Sequence, residues 1–254
     1  MLKSINEIKQ EFINTDIKNI NNIIELYLND NRKGVQNIIK SYKNKFIKYE
    51  QEVLRIENMK KYEQEAYLQN KNFVAGIDEV GRGPLAGPVV TACVILPKDF
   101  NILGINDSKK LSEEKRKELY IKIQENALYI SVNMEDNQTI DNINILQATK
   151  KSMLKNIEDL KQKPDYLILD FINLDTNIPY ISMAKADEKS ISVAAASIIA
   201  KVTRDEYMKE MDKLYPQYKF AINKGYGTKE HIEAIKKYGY CPIHRKTFIK
   251  NYLN

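Results

Sequence analysis

Hydrophobic and polar residues alternate with helical spacing over the first 70 residues of the chain. A single glycine interrupts them, Gly34, directly after the polar stretch 29–33. Beyond it, apolar residues recur every three or four positions, as on one face of a long helix: Ile39, Tyr42, Phe46, Tyr49, Val53 and Ile56. The pattern predicts a helical accessory region over residues 1–71, without strands and with too few heptads for a coiled coil. Its apolar face either packs on its own domain or contacts a partner or the substrate.

The pattern changes at Phe73, and strands then alternate with helices. Short apolar runs predict strands over residues 73–78, 88–96, 128–134 and 166–169. The first two are joined by a turn rich in glycine and proline, so they are expected to pair as a hairpin. Helical periodicity and capping residues predict helices over 112–126, 140–161 and 190–214. This order of elements indicates an α/β domain over residues 72–254.

Length and composition place the chain among globular proteins. It has 254 residues, of which 43% are hydrophobic, enough for one sizeable core and a smaller appendage. No segment approaches the roughly 20 apolar residues of a membrane span, and the N-terminus lacks the apolar core of a signal peptide. We therefore expect a cytoplasmic monomer without membrane contact. The two cysteines, Cys93 and Cys241, are far apart in sequence and are interpreted as buried free thiols.

The net charge of +6 is concentrated near the C-terminus. From residue 219 to 254 there are eight lysines and arginines but only two acidic residues, Glu230 and Glu233. A clustered basic segment is the electrostatic footprint expected for nucleic acid. A lysine-rich solvated helix would give the same count. The charge thus favours a polyanionic partner without establishing one, and the sequence identifies no protein partner.

Four acidic residues stand where strands end or a helix begins. Asp78 and Glu79 close the first predicted strand, Asp170 follows the run 166–169, and Asp187 precedes the helix 190–214. Each alone would be an ordinary solvated turn residue, but sites in α/β sheets form at strand ends. Clustered carboxylates repel unless a cation lies among them, and their hard oxygens favour Mg²⁺ or Mn²⁺. The four acids together therefore predict a divalent metal site.

The adjacent pair Asp78 and Glu79 poses a geometric problem. Neighbouring residues on a regular strand point to opposite faces, so both cannot reach one metal site from a regular strand. We expect the strand to bend or end at Glu79, where Gly81 and Gly83 make a turn feasible.

Five segments between residues 73 and 248 resemble those of bacterial ribonuclease HII, in the order of that family: 76–88, 107–111, 195–205, 224–231 and 244–248. The resemblance implies an RNase H-like mixed β-sheet flanked by helices. It also implies an endonuclease that hydrolyses the RNA strand of RNA/DNA hybrids and incises 5′ of single ribonucleotides in duplex DNA, leaving 3′-hydroxyl and 5′-phosphate ends. Such an enzyme would serve ribonucleotide excision repair and DNA replication. The helical region resembles the extension of some Gram-positive members.

The resemblance also implies roles for individual residues. The catalytic, metal-binding acids of the family match Asp78, Glu79, Asp170 and Asp187, which would hold two Mn²⁺ or Mg²⁺ ions. The loop that reads the ribose 2′-hydroxyl matches Gly81, Arg82 and Gly83, and the tyrosine that stacks on the next deoxyribose matches Tyr226. Candidates for phosphate contact or structural support are Lys109, Lys110, Lys201 and Arg204.

Two positions depart from the family pattern. Phe171 follows the third acid, where a small residue is expected, and Glu188 stands beside Asp187 and could compete with it as a ligand. The two histidines, His231 and His244, are attributed to capping or packing because both lie in the basic segment.

Rival interpretations fail at specific residues. Residues 81–86 fit the dinucleotide pattern G-x-G-x-x-G/A of oxidoreductases, but that pattern must open a helix, whereas Pro84, Pro88 and the β-branched residues that follow predict a strand. A non-catalytic nucleic-acid-binding module would explain the basic segment but not four acids beside a phosphate. The sister type, ribonuclease HIII, prefers longer RNA tracts. Its strand-rich N-terminal domain disagrees with the helical pattern here, as does the aspartate at position 187.

Overall fold

The chain, analysed as a computed structural model, is described over residues 3–253. Its internal contacts divide it into two compact units, of which the first ends at Asn58 and the second begins at Met59. The boundary expected from sequence lies later, between residues 71 and 72. A short helix, α4 below, lies between these two positions.

The first unit is built from helices, as predicted. They are α1 (Ile5–Asn14), α2 (Ile20–Tyr27) and α3 (Lys33–Met59), with a 3-10 turn at Ile17–Asn19. Ser4 and Glu7 form a reciprocal capping box that starts α1. The core of the unit consists of apolar side chains from all three helices: Ile8, Phe12, Ile20, Ile24, Val35 and Ile39. The break expected near Gly34 is confirmed, because α2 ends at Tyr27 and α3 begins at Lys33.

The second unit contains a five-stranded mixed sheet with helices on both faces. The strands are β1 (Val74–Val80), β2 (Val89–Ile95), β3 (Tyr129–Glu135), β4 (Tyr166–Asp170) and β5 (Tyr180–Met183). Their order is β3-β2-β1-β4-β5. The first three strands pair antiparallel, and β4 lies parallel to both β1 and β5. The predicted hairpin and the doubly covered strand at 166–169 are confirmed.

The helices of this unit differ in length: three of them have 14 residues or more, and the others are shorter. They are α4 (Lys61–Leu68), α5 (Glu113–Asn126), α6 (Asn137–Ile143), α7 (Ile145–Asp159), α8 (Ala186–Lys189), α9 (Ile191–Leu214), α10 (Phe220–Asn223), α11 (Lys229–Tyr238) and α12 (Lys246–Ile249), with 3-10 helices at Ser108–Lys110, Pro216–Tyr218 and Lys250–Tyr252. Ser112 caps α5 by accepting a hydrogen bond from the Lys115 N–H, as its position before two glutamates predicted.

The two faces of the sheet are covered by different helices. Met153 and Ile157 of α7 pack on one face against Ile77, Leu169 and other buried residues. Helix α9 lies so close to the other face that a Cβ added at Gly76 would stand 2.2 Å from the Ser192 backbone. The small residues at the start of α9 permit this approach. Only glycine fits at position 76.

Helix α4 is attached to the start of α9 by one buried carboxylate. The Oε1 atom of Glu63 accepts hydrogen bonds from the Ser190 hydroxyl at 2.5 Å, the Ser192 N–H at 3.0 Å and the Ser192 hydroxyl at 2.6 Å. Since Ser190 also caps α9, Glu63 helps to fix where that helix begins.

Several local predictions were wrong. The helix expected over 140–161 is two helices, because Asn144 adopts a φ of 67° and its side chain caps α7 by accepting from the Leu146 and Gln147 N–H groups. Strand β1 neither bends away nor ends at Glu79, since its pairing with β2 continues to Val80 and Val90. Strand β5 and the short helix α8 were not predicted.

Two predictions about the chain as a whole can be compared with the described residues. Cys93 and Cys241 are both free and buried. Within residues 3–253, none of the helices combines the length and the apolar character required to cross a bilayer.

Candidate active site

The four predicted acids come together at one end of the sheet. Asp78 and Glu79 lie near the end of β1, Asp170 is the last residue of β4, and Asp187 lies in α8. Because β1 and β4 run parallel, their carboxyl ends meet at the same edge. The Asp170 Oδ1 accepts a hydrogen bond from the Ala186 N–H at 3.0 Å, which holds the start of α8 against the end of β4.

The adjacent acids of β1 stand on opposite faces of the sheet. Asp78 lies on the same side as Gly76, the face covered by α9, and Glu79 lies on the side of Ile77, the face covered by α7. The regular pairing Asp78↔Ala92 and Glu79↔Thr91 keeps this alternation intact. The carboxylates therefore approach the end of the sheet from both sides rather than from one bent strand.

Burial and mutual repulsion disfavour the charged forms of these acids. Burial raises the pKa of Asp78 well above its ordinary value, the charge of Glu79 raises it further, and a hydrogen bond from Ser197 opposes both. Burial likewise raises the pKa of Glu79, against the opposing effect of Arg82, whose guanidinium lies 3.3 Å from the Glu79 Oε1. Burial and the neighbouring Asp107 raise the pKa of Asp187 to about 6. Closely spaced, buried acids of this kind are typical of functional sites.

The chemistry of the donor set fits a hard divalent cation. The Oε2 atom of Glu79 is buried without a hydrogen-bond partner, and a cation would supply one. All the donors are carboxylate oxygens, which suit Mg²⁺ or Mn²⁺ better than softer metals. In the conformation described for residues 3–253, however, no three acidic, histidine or cysteine side chains converge closely enough to hold a metal ion.

A fifth carboxylate, Asp107, was missed by the sequence reading. It is buried, caps the 3-10 helix Ser108–Lys110 by accepting from the Lys109 N–H, and affects the pKa of Asp187. The Lys109 ammonium lies 4.0 Å from Asp107 and 3.8 Å from Asp187. The sequence did carry one signal for Asp107, because an aspartate directly before Ser-Lys-Lys is in a position to cap a short turn.

Glu188 forms ion pairs with lysines. Its carboxylate lies 2.8 Å from the Lys110 ammonium and 3.9 Å from that of Lys185. Asp187 is only 4% exposed, and the nearby charge of Asp170 helps to raise its pKa. The geometry therefore favours Asp187 over Glu188 as the fourth acid of the site.

The predicted basic contacts differ in availability. Lys109 has a largely exposed side chain beside the acids. Lys110 is engaged with Glu188, and Lys201 lies 2.7 Å from Asp205 on the same helix. Of these three lysines, Lys109 is the best placed to approach a substrate phosphate.

Arg82 and Gly83, the exposed part of the loop 81–88, lie next to Tyr226 near the acids. Arg82 and Gly83 are exposed, and Tyr226 is 43% exposed. A Cβ added at Gly83 would lie 3.8 Å from the Tyr226 ring, so the loop and the ring are neighbours. The Leu85 N–H donates to the Gly225 carbonyl at 2.8 Å, which fixes the two segments to each other.

Two fully buried arginines support this loop from behind. Arg204 donates to three carbonyls, those of Ala86, Pro88 and Lys224, at 2.8–3.0 Å. Arg245 donates to three others, those of Gly81, Arg82 and Gly87, at 2.6–3.0 Å. Both side chains are 0% exposed, and burial lowers the pKa of Arg204 to about 10 and that of Arg245 to about 9. The sequence left two roles open for Arg204, phosphate contact and structural support. Because the side chain is buried, the structure favours structural support. Arg245 was not predicted as a site residue.

His231 and His244 form a buried pair behind Tyr226. Their Nε2 atoms are 3.0 Å apart, and the His231 Nδ1 lies 2.9 Å from the Tyr226 carbonyl. That carbonyl can only accept, so His231 carries its proton on Nδ1 and accepts at Nε2. His244 must then donate from Nε2, which leaves its Nδ1 to accept from the Cys241 N–H at 2.9 Å. The chain of hydrogen bonds is complete when both rings are neutral, and it fixes the Tyr226 backbone.

Comparison with known proteins agrees with this geometry. Residues 75–251 match the sequence profile of the family described as Ribonuclease HII, and residues 4–67 match that of the Ribonuclease HII N-terminal domain. The chain belongs to the ribonuclease HII family. It is 57% identical over 205 residues to Ribonuclease HII of Caldanaerobacter subterraneus, covering 80% of this chain and 85% of that protein. It is also 57% identical to Ribonuclease HII of Enterococcus faecalis over 199 residues, 78% of each chain.

Solved structures share the fold. Ribonuclease H2 from Pyrococcus horikoshii superposes with a TM-score of 0.61 at 27% identity, covering 71% of this chain and 97% of that one. Ribonuclease HII from Archaeoglobus fulgidus, solved in a complex with PCNA, gives a TM-score of 0.58 at 26% identity, with coverages of 68% and 94%. Membership of the ribonuclease HII family makes the chain a nuclease. The oxidoreductase interpretation and that of a non-catalytic module are both excluded.

Proposed function

We propose that this ribonuclease HII hydrolyses the RNA strand of RNA/DNA hybrids and cuts on the 5′ side of single ribonucleotides in duplex DNA, leaving 3′-hydroxyl and 5′-phosphate ends. The observation that carries the proposal is the position of Asp78, Glu79, Asp170 and Asp187 at one end of the sheet, next to the turn that exposes Arg82 and Gly83. Acids next to a basic, aromatic surface suit a phosphodiester held by metal ions. This activity would place the enzyme in ribonucleotide excision during or after DNA replication.

The four acids would hold two Mn²⁺ or Mg²⁺ ions. Bound there, such ions would supply the activation of a water molecule and the stabilisation of charge on the departing 3′ oxygen. A ribonuclease HIII structure of the same fold, 21% identical to this chain, was solved with Mn²⁺. In this chain, Asp78 would bind from the face covered by α9, and Glu79 from the opposite face. The buried Oε2 of Glu79 would gain its missing partner.

Substrate selection would come from the surface beside the acids. The 2′-hydroxyl is the group that distinguishes RNA from DNA, and the backbone of Gly81, Arg82 and Gly83 would bind it. Tyr226 would stack on the deoxyribose that follows the ribonucleotide. Lys109, and less directly Lys110 and Lys201, would attract the phosphates, with the basic segment 219–254 extending the contact along the duplex.

The direct test uses a duplex with one ribonucleotide and an all-DNA duplex of the same sequence. With Mn²⁺ or Mg²⁺, the wild-type protein should cut only the first, on the 5′ side of the ribonucleotide. Asp78→Asn and Asp170→Asn should bind this duplex but leave it intact. If the wild type binds the duplex and never cuts it, or if both variants cut at the wild-type rate, the proposal fails.

The contribution of the helical first unit can be tested by truncation. A chain that begins at Met59 keeps α4, which a start near Asn72 would remove together with the Glu63 contacts to α9. The full chain is compared with each shortened chain on single-ribonucleotide and long-hybrid substrates. The ratio of the two cleavage rates gives the substrate preference of each chain. If the first unit contacts substrate, its loss should raise KM more than it lowers kcat.

A further inference from the structure

Arg245 fixes the orientation of two successive peptide groups in the loop 81–83. Its guanidinium donates to the Gly81 carbonyl at 2.6 Å and to the Arg82 carbonyl at 2.9 Å. The described residues contain no cis peptide bond. In a trans peptide, the carbonyl and the N–H point in opposite directions. Because both carbonyls point towards the buried Arg245, the N–H groups of Arg82 and Gly83 must point away from it.

The outward side of these peptides is the exposed side of the loop. Arg82 and Gly83 are exposed, whereas Arg245 is fully buried. Within residues 3–253, the N–H groups of Arg82 and Gly83 donate to no acceptor of the protein. Further along the loop, by contrast, the Leu85 and Gly87 N–H groups donate to backbone carbonyls at 2.8 and 2.9 Å. Two adjacent unused donors facing the same way form a backbone nest for an electron-rich oxygen.

We propose that Arg245 is a positioning residue for substrate recognition, which keeps the N–H groups of Arg82 and Gly83 aimed at an oxygen atom of the substrate. This inference rests on the proposed function, in which that oxygen is the ribose 2′-hydroxyl. Arg245 does not touch the substrate. It acts through the loop, because each inward carbonyl leaves one outward donor.

Arginine suits this task better than lysine. Its planar fork donates in fixed directions to three carbonyls at once, while an ammonium group cannot reproduce that geometry. Arg204 provides a matched comparison, since it is equally buried and supports the same loop. Its three carbonyl partners, Ala86, Pro88 and Lys224, include neither Gly81 nor Arg82.

The test compares Arg245→Lys with Arg204→Lys, each placed in an Asp170→Asn background so that the duplex stays intact. The Kd is measured for a duplex with one ribonucleotide and for the all-DNA duplex, and their ratio gives the discrimination. Both lysine variants should lower the Tm. Arg245→Lys should also narrow the discrimination by about tenfold, the effect of one well-aligned hydrogen bond, whereas Arg204→Lys should largely preserve it. A purely structural role would lower the Tm without this difference between the variants.

The outcomes separate the two proposals. If the wild type fails to cut the ribonucleotide duplex, the proposed function itself is wrong. If the wild type cuts it but Arg245→Lys keeps the parental discrimination, or Arg204→Lys narrows it equally, only the role of Arg245 is overturned.

A measurement on the unmutated loop covers the case in which Arg245→Lys does not fold. In the Asp170→Asn protein labelled with ¹⁵N, the amide resonances of Arg82 and Gly83 should shift when the ribonucleotide duplex is added. The all-DNA duplex should shift them much less. Equal shifts with both duplexes, or none with either, would show that these donors do not recognise the ribonucleotide.

Discussion

The acidic end of the sheet and the arginine-supported loop both contain buried charged side chains. Only in the loop do these side chains form a full set of hydrogen bonds to other groups of the protein. At the acidic end, burial raises the pKa values of Asp78, Glu79 and Asp187, and one Glu79 oxygen has no partner. In the loop, Arg204 and Arg245 each donate to three backbone carbonyls.

This difference separates a site from its support. Buried charge without partners costs free energy and is retained where a ligand completes it. Buried charge with a full set of hydrogen bonds instead fixes the backbone around it. Removing a carboxylate should therefore reduce activity without loss of stability, while removing an arginine should cost stability first.

The largest expected effect is on activity at the acidic end. Asp78→Asn should lower kcat at least about 10³-fold, because a metal ligand and its charge are lost. The free energy of unfolding without metal should stay the same or rise, since a repelled, buried carboxylate becomes neutral. Cleavage rates and urea unfolding measure the two effects, and Asp175→Asn, at an exposed acid outside the site, is the control. If Asp78→Asn lost stability to an extent comparable to its loss of activity, the acidic end would not differ from the loop in this respect.

The next effect is on stability at the loop. Arg204→Met should lower the free energy of unfolding by about 3 kcal/mol or more, because three buried carbonyls lose their donor. Urea unfolding followed by circular dichroism measures it. A wild-type midpoint would show that water or rearranged neighbours replace the guanidinium without cost.

The buried histidines predict a pH dependence. Burial lowers the pKa of His231. Burial and the neighbouring His231 together lower the pKa of His244 to about 4. Because unfolded histidines titrate near 6.5, the unfolded chain binds more protons between pH 6.5 and 4, so stability falls as the pH falls through this range. The loss should be on the order of 2 kcal/mol.

The acids with raised pKa values act in the opposite direction, since the folded protein binds protons first at those groups. Urea unfolding of the wild type and of His244→Gln between pH 7 and pH 4 isolates the contribution of the pair. If both proteins show the same pH slope, the histidines are not held neutral by the fold.

The smallest effect concerns Phe171, directly after Asp170. Its φ is 43° and it is 80% exposed, so it adopts a left-handed conformation with little packing in return. Phe171→Gly should raise the free energy of unfolding by about 1 kcal/mol. Phe171→Ala keeps a Cβ and should give no such gain. Thermal unfolding of the two variants decides whether the backbone is strained there.

Much of the fold could be predicted from the sequence because it depends on local patterns. The helical first unit, the hairpin of β1 and β2, the capped start of α5 and the buried strand β4 all follow from spacing and capping residues. The break at Asn144 could not be predicted in the same way, because it depends on one residue adopting a positive φ inside a helical pattern. Strand β5 lacks a clear apolar run.

The candidate site was predicted unevenly for a related reason. Acids at strand ends are visible in sequence, and the four proposed ligands do meet at one edge. The support is non-local: Arg245 reaches carbonyls more than 150 residues earlier in the chain. Asp107 likewise meets Asp187 only through folding. A buried arginine in a basic segment has no pattern of its own that separates it from a solvated one.

Because Asp78 and Glu79 are neighbours on a regular strand, one acid lies on each face of the sheet. The shorter aspartate stands on the side covered by α9, and the longer glutamate stands on the opposite side. Inserting or deleting one residue upstream in β1 would exchange their sides and place the longer glutamate against α9. The order of the two acids in the sequence therefore decides which carboxylate faces α9.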